Sequence, residues 1–511
     1  MAEIGIAGKR NDQVSLILSK NKSQMSLASR LGDRFKYAFG AQVVSAVTGA
    51  LLAVILARLL DPDSYGLLFL AISVFTIGKL MSVFGIPKSA SRFIAEYKEG
   101  DRGQVPHVLR FAFLYNLLTV SIVSTVFVIF GDRIAVLIGA GELGSIAVLG
   151  GLFIIFGTLT AFVRAALQGF EEIQTASTFK IIHKIGRLIL VIGFVLAGFE
   201  VIGALAGYVL GFAFVSSSGL VYIYATKYRI SDVSTVESGL NRRIFNYSIP
   251  IAFTQSSHVI DNHLDKVLIG LFAGPAAVGF YTIGKQVVNM IQTPMSALGF
   301  TLSPTYGAEK AKGNSGTAAK IFETAFSQSL LVYIPAAAGL VLVAEPTIVL
   351  VFGAEYSDAV PILQVLSVLV VLQTITKLTS HGLDYLGRAR ARAIAKAIAA
   401  ISNVILNVLL IPVYGALGAA VATVITFSFY TFVNVWIMHS ELDLRLTYLS
   451  KHIGYTTVVT VVMSGIVIYT AQYITGFVTL FAVVGIGIAV WLPFAFAFGL
   501  IDTNKARAFF S

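Results

Sequence analysis

Not one cysteine occurs in the 511 residues. Disulfides, thiolate zinc sites, iron–sulfur clusters and cysteine nucleophiles are thereby excluded. Charge is also scarce. Asp, Glu, Lys and Arg make up 12% of the chain, against about 25% in soluble domains. No G-x-x-x-x-G-K-[ST] phosphate loop and no H-E-x-x-H zinc motif is present, so neither an ATP engine nor a metalloprotease centre is expected. Asp61 and Asp63 form a D-x-D. It lies in a tight loop beside Pro62 and reads as a turn rather than a nucleotide-sugar site. No loop is long enough for a separate catalytic domain. No enzyme, cofactor or metal is expected, and no cleavable leader is visible in the polar, basic residues 1–35, of which 25–36 could lie on a membrane surface as a short amphipathic helix.

What is abundant is apolar residue: 56% of the chain, with a mean hydropathy of +0.83. A soluble chain of this length could not bury that much apolar surface. The composition specifies an all-α integral membrane protein. A spanning helix needs about 20 mainly apolar residues. Such segments fall near 37–59, 65–86, 108–131, 145–168, 177–198, 202–225, 246–273, 278–300, 319–344, 359–382, 391–412, 415–438, 452–474 and 476–501. About 14 spans are therefore expected.

The net charge of +11 could suggest nucleic acid, but its distribution argues otherwise. Taking both termini and every second connection, 30 of the 37 Lys and Arg fall on one side, counting Lys180, Lys184 and Arg187 in the connection 169–187. The other set of loops has Arg58 and Arg133. By the positive-inside rule the chain is a multi-pass protein of the cytoplasmic membrane with both termini cytoplasmic, and no nucleic-acid partner is expected.

The two halves repeat. "LLDPDSYG" (59–66) and "FAGPAAVG" (272–279) share a Pro-x3-Gly turn 213 residues apart, and Arg164 and Lys377 have the same spacing. "GALAG" (203–207) and "GALGA" (415–419) are 212 apart; "LQG" and "YLG" are 218 apart. The expected layout is a tail 1–36, a six-helix lobe 37–225, a linker 226–245, a second six-helix lobe 246–438, and two added helices with a short tail in 439–511. Both lobes begin on the same side, so the repeat is parallel, a layout suited to rocking around a central cavity. Gly203, Gly207 and Gly211, four residues apart, predict close helix packing.

Five cations fall inside spans: Lys79, Arg164, Lys266, Lys285 and Lys377. Each costs at least ~2.5 kcal/mol at mid-helix unless it has a partner or a task. The seventh span, "TQSSHVIDNHLDKVLIGLFA", adds His258, Asp261, His263 and Asp265. Helical spacing puts His258, Asp261 and Asp265 on one face, with His263 and Lys266 on an adjoining one. The matching first span offers only Gln42, Ser45 and Thr48. If both aspartates face one water pocket, mutual repulsion makes one protonatable, which suits coupling to H+ or Na+. Structural ion pairing, or contact with the transported molecule, is the competing reading.

"LARLLDPDSYGLLFLAISV" (56–74), "GIPKSASRFIAEYKEGD" (85–101), "DKVLIGLFAGPAAVGFYTIGKQV" (265–287), "VFGAEYSDAVPILQVL" (351–366) and "LNVLLIPVYGALGAAVATVIT" (406–426) together resemble the polysaccharide-exporter and oligosaccharide-flippase branch of the multidrug/oligosaccharidyl-lipid/polysaccharide exporter superfamily. The resemblance implies a V-shaped pair of six-helix lobes. It implies transport of a lipid-linked oligosaccharide, on a polyprenyl or dolichol phosphate carrier, to the outer leaflet for surface polysaccharide or glycoprotein synthesis. Membrane lipids, and glycosyltransferases or a polymerase, are the implied neighbours of a monomer. Lys79, Arg164, Lys285 and Lys377, with Gln42, are the candidate contacts for phosphate and sugar, since Lys and Arg are the usual phosphate partners. Arg164 and Lys377 would grip one phosphate from opposite lobes. Two alternatives stay open: a cation-coupled multidrug exporter of the same superfamily, and a non-transporting scaffold for glycosyltransferases.

The charge pattern makes a topological prediction. Cysteines introduced at Ser231 and Ser315 should be shielded from an impermeant thiol reagent in intact cells, whereas cysteines at Ser64 and Ser357 should label. Labelling at position 231 would contradict the orientation.

Overall fold

The computed structural model describes residues 36–229 and 234–500, apart from the side chains of 257, 258, 293, 294, 296–304 and 381. The tail 1–35, with its possible surface helix, and the last residues, 501–511, lie outside the described residues. In order the helices are α1 (Lys36–Leu59), α2 (Pro62–Val83), α3 (Ile86–Glu99), α4 (Val105–Ile129), α5 (Gly131–Leu137), α6 (Ala147–Gly169), α7 (Ile173–Phe194), α8 (Glu200–Ile223), α9 (Leu240–Ala311), α10 (Ser315–Leu342), α11 (Ala344–Val351), α12 (Ala359–Leu366), α13 (Val368–Tyr385), α14 (Ala389–Leu442), α15 (Leu446–Ala471) and α16 (Phe477–Ala497). No strand occurs among the described residues.

Eleven helices among these residues are long and apolar enough to cross a membrane. Fourteen spans were expected. The difference falls on three of the eleven, those covering 173–228, 259–292 and 389–442, each of which contains a glycine outside the helical region: Gly198 (φ 88°), Gly274 (φ 83°) and Gly415 (φ 57°). Glycine alone takes such angles without strain, and that permits the chain to turn there. Beyond Gly198, α8 packs back on α7. A Cβ at Gly207 would lie 2.7 Å from the Val191 backbone nitrogen, and one at Gly203 2.9 Å from the Phe194 Cβ. The predicted glycine stripe is therefore the α7–α8 contact. Beyond Gly415, a Cβ at Gly418 would lie 2.4 Å from the Leu410 carbonyl.

Asp61 caps α2. Its Oδ1 accepts from the Asp63 and Ser64 amides, both at 3.0 Å, and Pro62 fills the first turn where no amide is needed. The D-x-D is thus a helix start. The repeated turn lies against its counterpart: a Cβ at Gly66 would sit 1.8 Å from the Pro275 carbonyl oxygen, and one at Gly279 2.9 Å from the Pro62 carbonyl oxygen. Each turn packs into the space left by the other's glycine. Two further contacts flank this point. Arg58 donates to the last carbonyls of α11, with Nε 3.0 Å from Val351 O, and Tyr356 donates to Leu60 O at 2.9 Å. A cation at a helix C-terminus is favoured by the helix dipole.

At the other end, the basic stretch 87–110, expected as a loop, contains α3. Its apolar side packs on α4, α6 and α9, and Gly85 (φ 74°) makes the turn into it. Here the linker is clamped to the first half. Gln104 donates to Ser234 Oγ (2.9 Å) and Thr235 O (2.7 Å); Glu237 accepts from Tyr97 and from Arg243 at 2.5 Å. Those two donors hold the Glu237 carboxyl below its ordinary range. The C-terminal pair α15–α16 hangs on α10. There Glu323, 1% exposed, accepts from the Arg445 Nε at 2.8 Å and its backbone amide at 2.6 Å.

Gly66→Ala should destabilise the protein by about 1–3 kcal/mol, the cost of overpacking a tight interior contact. Gly193→Ala, with nothing within 4 Å of its would-be Cβ, should be neutral or slightly stabilising. Thermal unfolding in detergent compares the two.

Candidate functional site

Two polar clusters lie within the apolar helices, and they carry opposite chemistry. The first is a cavity of about 360 Å³ in the first half, walled by α1, α2, α6, α7 and α8. α7 supplies most of its charge. In "FKIIHKIGRLIL" (179–190) the polar residues recur as Lys180, His183, Lys184 and Arg187, one face of a helix whose remaining positions are mostly apolar. Lys79 from α2 and Arg164 from α6 complete the lining. Gly157 makes room for Lys79: a Cβ there would meet the lysine Cδ at 2.9 Å. Gly211 lets α8 approach Arg187.

Aromatic faces hold several of these groups. Lys79 Nζ lies 5.7 Å from the Phe212 ring centre, His183 stacks on the same ring at 4.7 Å, and the Arg187 guanidinium lies 4.6 Å over Tyr208. Such contacts stabilise a cation without neutralising it. Lys180 donates to Gln42 Oε1 at 2.7 Å. No carboxylate lines the cavity, and none of its five Lys and Arg has an ion pair among the described residues. Glu172, just before α7, is taken by Lys227, Tyr222 and Thr175. His183 Nε2 and Arg187 Nε are buried without a hydrogen-bond partner. Positive charge from three helices thus converges on a void with no acid in its lining.

The second cluster is in the other half and is built on ion pairs. Asp265 on α9, 3% exposed, accepts from Tyr281 (2.7 Å), Asn407 (2.9 Å) and Thr423 (3.4 Å), and pairs with Lys285 at 3.5 Å. Asn407 donates also to Asn403 Oδ1 at 3.0 Å. Asp261 pairs with Lys396 of α14 at 2.7 Å, and that lysine lies over the Phe427 and Tyr430 rings. The two aspartates thus do not share one pocket as unpaired neighbours; each has its own ammonium. His263 and Lys266 point the other way, to α2, where His263 Nδ1 is 3.1 Å from Ser73 Oγ and Lys266 lies over Phe69. The side chain of His258 lies outside the described residues.

Of the expected contacts, Lys79 and Arg164 come together in the cavity and Gln42 reaches it through Lys180. Lys285 belongs to the Asp265 network instead. Lys377 is not with Arg164: its ammonium donates to Gln292 O (2.9 Å) and Oε1 (3.1 Å). Gln292 stands 213 residues after Lys79, as Lys377 does after Arg164. The repeat therefore keeps the paired positions but gives two cations to one half and a lysine–amide pair to the other. Lys180, Lys184 and Arg187 correct the sequence reading, which counted them as loop cations. α7 begins at Ile173 and carries them inside the bundle, where their stripe faces a cavity rather than water. Their i, i+4, i+7 spacing in an apolar segment was the available signal.

The chain matches the family model described as "Polysaccharide biosynthesis protein" over residues 32–307, more than half its length, and the MatE model over 250–409. It belongs to the polysaccharide biosynthesis protein family, within the multidrug/oligosaccharidyl-lipid/polysaccharide exporter superfamily. It is 26% identical over 450 residues to the probable low-salt glycan biosynthesis flippase Agl15 of Haloferax volcanii, covering 87% of this chain and 89% of that one. Its fold is similar to that of the lipid II flippase MurJ in an inward closed conformation (TM-score 0.74, 18% identity, 90% of this chain and 98% of the other). It is also similar to an inward-facing multidrug transporter of the MATE family (TM-score 0.67, 16% identity, 81% and 98%). The protein is a multi-pass helical membrane protein of that fold.

Asp265→Ala should cost about 3–5 kcal/mol, because it leaves Lys285 charged, buried and unpaired. Adding Lys285→Met should recover much of the loss. Thermal stability of the single and double variants measures this; equal stability of wild type and Asp265→Ala would remove the pair from the core.

Proposed function

We propose that this protein is a flippase that carries a lipid-linked oligosaccharide from the cytoplasmic to the outer leaflet of the cytoplasmic membrane. The lobes 37–225 and 246–438 would alternate access around it, with fourteen crossings and both termini cytoplasmic. The observation that carries the reading is the first-half cavity, where five cations converge without a carboxylate. A glycan on a lipid phosphate is anionic where it joins the carrier, and that anion is what an unpaired cation cluster within the membrane selects. Agl15, alike over most of both chains, is described as a glycan biosynthesis flippase, which supports the same substrate class. A multidrug exporter of cationic compounds would need the reverse sign in this cavity. A scaffold for glycosyltransferases would leave the charges without a task.

Energy input is proposed to enter through the second half. Asp265, ringed by Tyr281, Asn407, Thr423 and Lys285, would exchange a proton or Na+ as the lobes rock, with Lys285 as the cation that covers the carboxylate in between.

Arg164→Gln or Lys184→Gln should lower the affinity of the purified protein for a polyprenyl-phosphate-linked glycan by about tenfold to a hundredfold, the equivalent of one charge-assisted hydrogen bond of ~1.5–3 kcal/mol. Flipping in proteoliposomes should fall with it. In the same assay Asp265→Asn should lose the response to a collapsed H+ or Na+ gradient. Wild-type binding by both cavity variants would remove the cavity from the substrate path.

A further inference from the structure

The first-half cavity holds more positive charge than one phosphate answers, and it holds it over a distance. Lys180, Lys184 and Arg187 are spaced i, i+4, i+7 on α7. At 1.5 Å per residue the stripe extends about 10 Å along the helix axis. Lys79 is four residues from the end of α2 and Arg164 five from the end of α6, while Lys180 is seven into α7, which starts where α6 stops. These three stand at comparable depth. Lys184 and Arg187 lie one to two turns further in. That deeper end has its own unpartnered polar atoms: the Arg187 Nε donor and the His183 Nε2 are buried without a hydrogen-bond partner.

The second half shows what the same chain does with buried cations that need no ligand. Lys285 has Asp265, Lys396 has Asp261, Arg392 has Asp384 at 2.9 Å, and Lys377 has Gln292. Each of these four has a counter-group built in; Lys266, over the Phe69 ring, is the exception among the described residues of the span. In the first-half cavity no carboxylate stands at either depth, and an amide answers Lys180 alone among the described residues. A phosphodiester brings one negative charge to one point, so it would leave the inner or the outer group of cations unanswered in a low-dielectric surrounding.

Resting on the flippase reading above, we infer that the transported headgroup carries at least two anionic groups. One is gripped by Lys79, Arg164 and Lys180, the other by Lys184 and Arg187. A diphosphate carrier supplies two such groups, and so does a monophosphate carrier bearing an acidic sugar. Recognition of spaced anions by separate cation groups makes this half of the cavity a specificity filter for charge, not for the sugar's hydroxyl pattern.

The test uses the full chain in phosphatidylcholine nanodiscs and four probes that share one short polyprenyl chain: a neutral glucoside, a phosphate-linked glucose with one negative charge, and phosphate-linked glucuronate and diphosphate-linked glucose with two each. At least one of the two-charge probes should bind tenfold or more tighter than the phosphate-linked glucose. A gain with glucuronate alone identifies the acidic sugar as the second anion; a gain with the diphosphate alone identifies the carrier. Arg187→Gln should reduce the preference to threefold or less, and Arg187→Lys should keep it. Equal binding of phosphate-linked glucose and both two-charge probes overturns the inference and leaves the flippase reading standing. Charged probes that bind no tighter than the neutral glucoside overturn both. The wild-type series decides even if an Arg187 variant fails to fold.

Discussion

In hydrocarbon, a charge without a partner is the most expensive thing a helix can carry, and the interior of this protein is arranged around that cost. In the second half Lys285 is answered by Asp265, Lys396 by Asp261 and Lys377 by Gln292, while Lys266 lies over the Phe69 ring with no carboxylate or amide partner among the described residues. In the first half, Lys79, Arg164, Lys180, Lys184 and Arg187 surround a void and have no acid. Aromatic rings and one glutamine moderate the repulsion without removing it. With no acid in the lining, an anionic ligand is the partner proposed for this void.

The two halves share a backbone plan and differ in chemistry. Their common feature is the Pro-x3-Gly turn, and the copies meet where the chain can least tolerate a side chain, with Gly66 against the Pro275 carbonyl and Gly279 against that of Pro62. Around this contact, Arg58 on the α11 carbonyls and Tyr356 on Leu60 tie the halves together at one end. At the other end the linker is fastened to the first half by Gln104, and by Tyr97 and Glu96, which Arg243 reaches from the linker. A rocking motion would have to break one of these sets while keeping the other. The duplication thus repeats the backbone turn, and the divergence between Lys79 and Gln292, or between Thr48 and Asp261, leaves a cation-lined cavity on one side and an ion-paired network on the other.

Much of this was legible beforehand. Composition and run length identify a helical membrane protein, because no other structure buries backbone polar groups within lipid at this apolar content except a closed barrel, and the runs are too long for strands. The Gly203, Gly207 and Gly211 stripe identified the α7–α8 contact. The D-x-D beside Pro62 read as a turn and is a helix cap. Lys79 and Arg164 were singled out for being charged inside spans. The failures have one origin. A charge near the end of an apolar run is assigned to a loop when only hydropathy is weighed, so Lys180, Lys184 and Arg187 were counted with the loop cations. A charge's neighbour on another helix has no trace in linear order, so the sequence left mutual repulsion and ion pairing both open for Asp261 and Asp265, and the partners Lys396 and Lys285 come only with the fold.

The sequence by itself determined the membrane class, the repeat, the turns and the presence of intramembrane charge, since each follows from local composition, helical period or steric freedom at glycine. Only the tertiary structure decided which charges are neutralised and which converge. That depends on short distances between residues far apart in the chain, such as the 2.9 Å between Asp265 and Asn407, 142 positions apart, and electrostatic energy in a low-dielectric interior is governed by those distances and not by order along the chain.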